Sequence, residues 1–349
     1  MLQRLLGLPR RKKINLALQG GGAHGAFTWG VIDHLLEDGR IHIAGVSGTS
    51  AGAMNAVMLA DGLARGGREE ARKRLAEFWR AASIGGDLPG PQRAVLDRML
   101  ALMPMDASPV RIMVDTMSRI LSPYDLNPLN INPLQGLIDR FVDFDAIHKF
   151  KDLDLFISAT NVHSGRPRVF KREEINADVV MASAALPFVF RAVEIDGEPY
   201  WDGGFTANPA ILPLIEANDI DDVLVVQISP QSRDTTPTSA RDIAHRVNEI
   251  TFNASLDSEL RAIEYIGRIA GKRGTKNTSA AAKVKVHRIV LDSTGKKLGS
   301  GTGLNADYDF FAVLHRAGRR AARRFLDEHF SDIGHRSTLD LTEDFAASA

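Results

Sequence analysis

A serine flanked by glycines is the pattern with the clearest chemical meaning in this chain: Ser50 lies two residues after Gly48 and two before Gly52. An apolar run over 41–46 precedes this segment, and an Ala/Met/Leu-rich run over 53–60 follows it. The pattern predicts a strand, a tight turn and a buried helix, which together make the nucleophile elbow of G-x-S-x-G hydrolases. Such a turn exposes the serine hydroxyl at the head of the helix, where the helix dipole favours negative charge. We therefore predict that Ser50 is a nucleophile.

A second glycine-rich loop, over 20–25, follows the apolar run 14–19 and precedes a predicted helix over 26–37. Its glycine spacing also fits a dinucleotide-binding loop, but that motif needs an acidic residue at the end of the second strand, which this sequence lacks. No Gly-Lys-Ser/Thr follows, so a phosphate-binding P-loop is excluded. We interpret the loop as an oxyanion hole, whose backbone N–H groups stabilise the charge formed when Ser50 attacks a carbonyl. The candidate residues are Gly20, Gly21, Gly22 and Ala23.

A serine nucleophile needs a base, and the sequence offers two kinds. Five histidines come late enough in the chain for the Ser–Asp–His order of α/β-hydrolases, yet none lies in a loop flanked by small residues. The other candidate is Asp202, which follows a predicted hairpin and precedes Gly203 and Gly204, two glycines that indicate close backbone packing. An ordinary Asp-Gly turn is the alternative interpretation of this segment. The late histidines are His245, His287, His315, His329 and His335.

The elements that must position these residues alternate between strand and helix at the start of the chain, which predicts a mainly parallel sheet covered by helices. Further strands are predicted over 153–159, 222–228 and 284–291, and long helices over 240–270 and 306–329. The first of these helices is predicted to be amphipathic. Its apolar residues are Ile243, Val247, Ile250, Leu260, Ile263 and Ile266.

We predict a single catalytic domain over 13–330, because no repeat and no linker divides the chain. Within it, 85–150 is an insertion that begins rich in proline and methionine, and we expect a helical cap over an apolar cleft. An ordinary core insertion fits that segment equally well. Residues 229–330 extend the domain at its C-terminal side, and 331–349 are expected to be a mobile tail. The basic segment 1–12 is either a frayed end or an amphipathic foot on anionic lipid.

The composition excludes several classes of function. The formal net charge is +0, so no overall basic field attracts the chain to nucleic acid. The chain has no cysteine, which excludes disulfides, cysteine nucleophiles and thiolate metal sites. We recognise neither a signal peptide nor an apolar stretch of membrane-spanning length, and we expect a cytoplasmic protein with peripheral contact at a lipid surface. The sequence leaves open whether the chain forms homo-oligomers.

Four motifs in order resemble those of the patatin-like phospholipase family: 20–25, 48–52, the segment Ala-Ser-Ala-Ala-Leu-Pro over 182–187, and Asp-Gly-Gly over 202–204. The resemblance covers roughly residues 15 to 227. It implies a three-layer α/β/α sandwich and a Ser–Asp dyad without a catalytic histidine. By motif, Ser50 is the nucleophile, Asp202 the base and the 20–22 loop the oxyanion hole, with no metal or cofactor. The family usually has Arg or Lys where this chain has His24.

The predicted function is therefore hydrolysis of carboxylic ester bonds of lipids through an acyl-enzyme on Ser50. An aspartate of ordinary pKa is too weak a base for this step, so we expect burial to raise the pKa of Asp202 within a cleft walled by Phe188, Phe190 and Trp201. Three alternatives stay open. They are a Ser–His–Asp carboxylesterase, a hydrolase of storage polyester, and a non-catalytic lipid-binding scaffold.

Overall fold

The computed structural model describes the following parts of the chain: 11–83, 122–126, 132–187, 189–273, 280–291 and 307–341. Most of the proline- and methionine-rich part of the predicted cap, over 84–121, therefore lies outside the described residues, as does Phe188.

The first half of the described chain opens with alternating strands and helices, as predicted, and adds three further helices before its third strand. Its elements are β1 (Lys12–Leu18), α1 (Gly25–Asp38), β2 (Ile41–Gly48), α2 (Ala51–Ala81), α3 (Pro123–Leu126), α4 (Pro133–Phe141), α5 (Phe144–Lys149), β3 (Asp154–Asn161), β4 (Pro167–Lys171) and α6 (Ala177–Ser183). The second half contains β5 (Val193–Ile195), β6 (Glu198–Asp202), α7 (Leu212–Ala217), β7 (Asp222–Gln227), α8 (Ala240–Arg273), β8 (Lys285–Val290) and α9 (Tyr308–His329). Short 3-10 helices occur at Gly22–His24 and Gly203–Phe205, directly after β1 and β6.

All eight described strands belong to one sheet, in the order β5-β6-β3-β2-β1-β7-β8, with β4 paired to β3. The five strands from β3 to β8 in this order are parallel, and β4, β5 and β6 pair antiparallel at one side. The chain builds outward from β1 in both directions. In such a sheet, binding sites form at the carboxyl ends of the strands near the point where the order reverses.

Alternate residues of the central strands face opposite layers of helices. Leu16 and Leu18 of β1 belong to the same buried cluster as Phe27 of α1, Leu59 of α2 and Leu314 of α9. Between them, Ala17 faces the other way, into a cluster that contains Leu214 of α7 together with Leu256, Leu260 and Ile263 of α8. The predicted three-layer α/β/α sandwich with a mainly parallel sheet is confirmed.

The later part of the predicted cap is packed into the core. Ile138 of α4 and Ile147 of α5 are fully buried, and the Asp143 N–H between these helices donates to Asp61 of α2 at 2.9 Å. These contacts favour the core-insertion interpretation for residues 132–150. The part of the predicted cap over 85–121 lies outside the described residues and stays a prediction.

Two expectations need correction. The apolar residues predicted for α8 do not all lie on one side of the helix: Leu260 and Ile263 are in the core, whereas Ile243, Val247 and Ile250 are exposed. The reason is the helical repeat, because at 3.6 residues per turn these three residues lie on the side opposite Ile263. Residues 331–341, which we expected to be mobile, pack against the sheet instead: Ile333 is buried, and the Gly334 N–H donates to Asp222 Oδ1 at 2.6 Å.

Within the described parts of the chain, no helix combines the length and the apolar character needed to cross a membrane.

Candidate active site

Ser50 lies between β2 and α2 in a backbone conformation that side chains rarely adopt. Its φ is 54° and its ψ is −121°, which places a non-glycine residue at positive φ. The Ser50 N–H donates to Ser183 Oγ at 2.9 Å, and this bond holds the turn from the side of α6. Such a strained junction at the head of a helix is the geometry of a nucleophile elbow.

The glycines around Ser50 are required by close packing of the loops that follow β1 and β2. A Cβ on Gly20 would lie 2.7 Å from the Thr49 carbonyl oxygen and 2.8 Å from Ser50 Cβ. A Cβ on Gly52 would collide with the Leu18 carbonyl oxygen. The 20–25 loop therefore lies directly against the elbow.

Asp202 is the last residue of β6 and is completely buried. Its N–H donates to the Ala185 carbonyl at 2.9 Å, and its own carbonyl accepts from Thr160 Oγ1 at 2.8 Å. The carboxylate oxygen Oδ1 accepts from the Gly204 N–H at 2.7 Å. The antiparallel pairing of β6 with β3 thus fixes the backbone of Asp202, while the following Gly-Gly turn fixes one carboxylate oxygen.

The second carboxylate oxygen of Asp202 has no hydrogen-bond partner among the described residues. Burial raises the pKa of Asp202 to about 7, although the Gly204 N–H and the nearby Ser50 hydroxyl act in the opposite direction. The Ser50 hydroxyl is therefore close enough to the carboxylate to affect its pKa, although no hydrogen bond of ordinary geometry joins it to Oδ2. An aspartate with this pKa is a far better base at neutral pH than one of ordinary pKa.

The predicted oxyanion residues differ in whether their N–H groups are free to bind a substrate oxygen. The Gly20 N–H is used internally, because it donates to Asn208 Oδ1 at 2.6 Å. No hydrogen bond within the described chain uses the N–H groups of Gly21, Gly22 or Ala23, where the loop turns through Gly22 at φ 60°. Gly20 therefore anchors the loop, and the residues after it carry the available donors.

Several residues that sequence reasoning did not single out hold this arrangement together. Asn208 receives the Gly20 N–H on Oδ1 and donates its Nδ2 to the Phe252 carbonyl at 3.1 Å, so it joins the loop to α8. Thr49 Oγ1 donates to the Ala207 carbonyl at 2.7 Å. As the first residue of α2, Ala51 has no intrahelical acceptor for its N–H, which makes it a further candidate oxyanion donor. The sequence feature that could have identified Asn208 is its position six residues after Asp202.

His24, the position that departs from the family pattern, is partly buried beside Phe310, with ring centroids 6.4 Å apart. Burial lowers the pKa of His24 to about 4, and the charge of Glu249 only partly opposes this effect. The imidazole is therefore neutral at pH 7 and supplies no fixed cation beside the loop.

Three of the late histidines are engaged with carboxylates away from Ser50. His287 Nε2 lies 3.0 Å from Asp222 Oδ1 at the first residue of β7, and His315 Nε2 lies 3.1 Å from Asp33 Oδ2 of α1. His329 Nδ1 lies 3.2 Å from Asp332 Oδ2 after α9. None of these contacts reaches Asp202.

No three histidine, aspartate or glutamate side chains of the described chain gather as they would around a metal ion.

Comparison with solved structures gives distant similarities. VipD from Legionella pneumophila is 19% identical, and the match covers 92% of this chain and 67% of that one, with a TM-score of 0.42. Human GIVD cytosolic phospholipase A2, solved with methyl gamma-linolenyl fluorophosphonate, is 12% identical over 95% of this chain and 61% of that one, with a TM-score of 0.45. The type III effector ExoU of Pseudomonas aeruginosa is 16% identical over 92% and 54%, with a TM-score of 0.36. This chain thus spans between about half and two thirds of those proteins.

Comparison with curated proteins gave no match. The family model described as patatin-like phospholipase matches residues 16–215, more than half of the chain and all four motifs. Membership of this family supports an enzyme that hydrolyses lipid esters. The chain therefore belongs to the patatin-like phospholipase family.

Proposed function

We propose that this protein is a serine acyl hydrolase that cleaves carboxylic ester bonds of lipids with a Ser50–Asp202 dyad. The observation that carries the proposal is the state of Asp202. It is a fully buried carboxylate whose pKa is raised to about 7, with one oxygen held by Gly204 and the other without a hydrogen-bond partner in the described chain. A half-satisfied buried carboxylate is not by itself a base, since Asp61 of α2 also has an unpartnered Oδ2, but Asp202 combines this state with a position beside a serine in a strained conformation.

The reaction begins when Ser50 Oγ attacks the ester carbonyl carbon while Asp202 Oδ2 accepts the hydroxyl proton. The carbonyl oxygen becomes an oxyanion, for which the N–H groups of Gly21, Gly22, Ala23 and Ala51 are the candidate donors. The C–O bond then breaks, Asp202 returns the proton to the leaving alcohol, and the acyl group stays on Ser50.

Deacylation repeats these steps with water as the nucleophile. Asp202 takes a proton from the water as it attacks the acyl-enzyme, and it returns the proton to Ser50 Oγ when the fatty acid leaves. No histidine takes part. The site therefore needs one residue that both accepts and donates protons near neutral pH, which a pKa of about 7 permits.

A substrate panel with a covalent probe tests this function. We expect wild-type protein to react with a fluorophosphonate at Ser50 and to hydrolyse phospholipid or acylglycerol more efficiently than a storage polyester. Ser50→Ala serves as the blank and should be unlabelled. His245→Gln is the matched control, since it should keep labelling and turnover if the base is Asp202.

An unlabelled wild-type protein would instead favour the non-catalytic lipid-binding scaffold. Loss of turnover in His245→Gln, in protein that remains folded, would favour the Ser–His–Asp carboxylesterase.

A further inference from the structure

The motif over 182–187 supplies no group to the proposed reaction, yet it bonds to both residues of the dyad. Ser183 is the last residue of α6, and its Oγ accepts from the Ser50 N–H at 2.9 Å. Two residues later, the Ala185 carbonyl accepts from the Asp202 N–H at 2.9 Å. We call residues 183–185 the dyad link, because they join the backbone of the nucleophile to the backbone of the base.

The dyad link is short and internally bonded. Two residue steps of chain span at most about 7 Å, which limits the separation between the two anchor residues. The Ala184 N–H donates to the Met181 carbonyl at 3.1 Å, and the Ala185 N–H donates to the Ala182 carbonyl at 3.2 Å. Ser183 and Ala185 are also fully buried. The link therefore holds its two anchor points at a small and fixed separation.

The sheet connects the two dyad residues by a longer route. Asp202 ends β6, which pairs with β3, and β3 pairs in turn with β2, which ends two residues before Ser50. A second direct bond, from Thr49 Oγ1 to the Ala207 carbonyl, joins residues beside the dyad and does not use the Ser50 N–H. The dyad link thus provides the bond to the backbone of Ser50 itself.

Ser50 depends on this bond because its own conformation is strained. A non-glycine residue at φ 54° and ψ −121° persists only where the surrounding structure holds it. Ser50 is 7% exposed, and Ser183 Oγ is the acceptor that the described chain provides for its N–H. Loss of this acceptor would leave a buried donor unpaired, so the peptide between Thr49 and Ser50 would rotate toward another partner and move the Ser50 hydroxyl.

We infer that Ser183 is a positioning residue for the proposed reaction. Its hydroxyl holds Ser50 in the strained conformation, and the dyad link sets the separation of Ser50 from Asp202. Ser183 acts through Ser50 and neither bonds the substrate nor exchanges a proton. The inference rests on the proposed function, because the separation of the two residues matters only if they react as a dyad.

The test compares Ser183→Ala with Ser47→Ala in single-turnover hydrolysis of a p-nitrophenyl ester. Both changes remove a hydroxyl from a fully buried serine, but Ser47 Oγ has no hydrogen-bond partner in the described chain. Ser183→Ala should slow acylation on the order of 100-fold, the effect of misplacing a reacting group by about 1 Å, while the half-saturating ester concentration stays nearly unchanged. Ser47→Ala should keep both values. Rates are expressed per folded molecule, measured by circular dichroism.

A second measurement separates positioning of the dyad from general support of the site. If Ser183 acts through the dyad, Ser183→Ala should slow the Asp202→Asn variant by less than about threefold. Equal factors in the wild-type and Asp202→Asn backgrounds would overturn the inference. So would wild-type acylation by folded Ser183→Ala, or a loss confined to the half-saturating concentration. Failure of the proposed function would appear separately, as a wild-type protein that hydrolyses no ester and does not react with a fluorophosphonate.

Discussion

Two buried aspartates of the same sheet have opposite environments. Asp202 ends β6 beside Ser50, where burial raises its pKa to about 7 and one oxygen has no hydrogen-bond partner in the described chain. Asp222 begins β7 and is also buried, but its Oδ1 lies 3.0 Å from His287 Nε2 and accepts from the Gly334 N–H at 2.6 Å. Although burial acts to raise the pKa of Asp222, these partners and Lys285 hold it below its ordinary value.

The second environment resembles a catalytic triad, because His287 Nδ1 also lies 3.0 Å from Thr338 Oγ1. Hydroxyl, imidazole and carboxylate stand in line, yet His287 is fully buried. The contrast teaches that residue types in sequence do not distinguish the proposed base, Asp202, from an aspartate that is held in a buried ion pair. What distinguishes Asp202 is an unbonded carboxylate oxygen beside a serine in a strained conformation.

The largest expected difference between the two aspartates is in catalysis. Ser50→Ala and Asp202→Asn should each lower kcat for a p-nitrophenyl ester by about 10⁴-fold, and the double variant should be no worse than either single one. Asp222→Asn and His287→Gln should retain kcat in whatever fraction of protein remains folded. Turnover is measured per folded molecule, with circular dichroism as the check. A largely active Asp202→Asn would transfer the role of base to a histidine.

The pH profile of kcat/KM should also distinguish Asp202 from Asp222. Since the base must be ionised, kcat/KM should rise about tenfold per pH unit below a midpoint near 7 and level off above it. Between pH 5 and pH 7 the change is therefore about 50-fold. Asp222→Asn should keep the same midpoint. A histidine base would titrate in a similar range, so the profile is repeated in His245→Gln, where loss of the midpoint would count against Asp202.

Stability should respond to the two aspartates with opposite signs. The pKa of Asp202 is raised in the folded state, so its ionisation destabilises the fold as pH rises from its ordinary value of 3.8 through about 7. Asp202→Asn should therefore raise the free energy of unfolding at pH 8 by a few kcal/mol and change it little at pH 4.

The pKa of Asp222 is lowered, so its ionised form stabilises the fold above 3.8, and this contribution is lost as pH falls through the lowered value. Asp222→Asn should reduce the free energy of unfolding at pH 8 by about 1–3 kcal/mol, with a smaller loss in acid. Urea titrations at both pH values measure the four differences. If Asp202→Asn and Asp222→Asn changed the free energy of unfolding in the same direction at pH 8, the two aspartates would not have opposite environments.

The smallest effect concerns His24. Because its pKa is about 4, the imidazole is already neutral at pH 5.5, and no fixed charge is present to remove. His24→Asn should change kcat/KM by less than about threefold at both pH 5.5 and pH 8, and His24→Arg should be neutral or harmful at both. A rate gain in His24→Arg confined to pH 8 would show that a cation beside the oxyanion loop assists catalysis.

The sequence could predict the local parts of the site because tight turns leave a signature in glycine spacing. The Ser50 elbow and the Gly-Gly turn after Asp202 are of this kind. What joins them is set by long-range pairing: β6 pairs with β3, and Ser183 Oγ reaches the Ser50 N–H across 133 residues of sequence. No local pattern encodes such contacts. The role of Gly20 as an anchor depends in the same way on Asn208.

The fold class was predictable for a related reason, since alternation of strand and helix determines the layers. The helical period of α8 was also visible in the sequence. Which side of that helix is buried depends on how the helix packs against the sheet, and a list of apolar residues alone carries no information about that contact. Ile250 and Ile263 are both apolar, but they lie on opposite sides of the helix, so one faces solvent and the other the core.

The central position of β1 has a consequence for how the protein is made. One edge of β1 pairs with β2, about 30 residues later, but its other edge pairs with β7, where Asn15 meets Val223 roughly 200 residues later. At 5–20 residues per second, a ribosome needs about 10–40 s to synthesise the second partner. During that interval the emerging chain carries an open apolar strand edge, the kind of surface that chaperones cover and that aggregates when they do not.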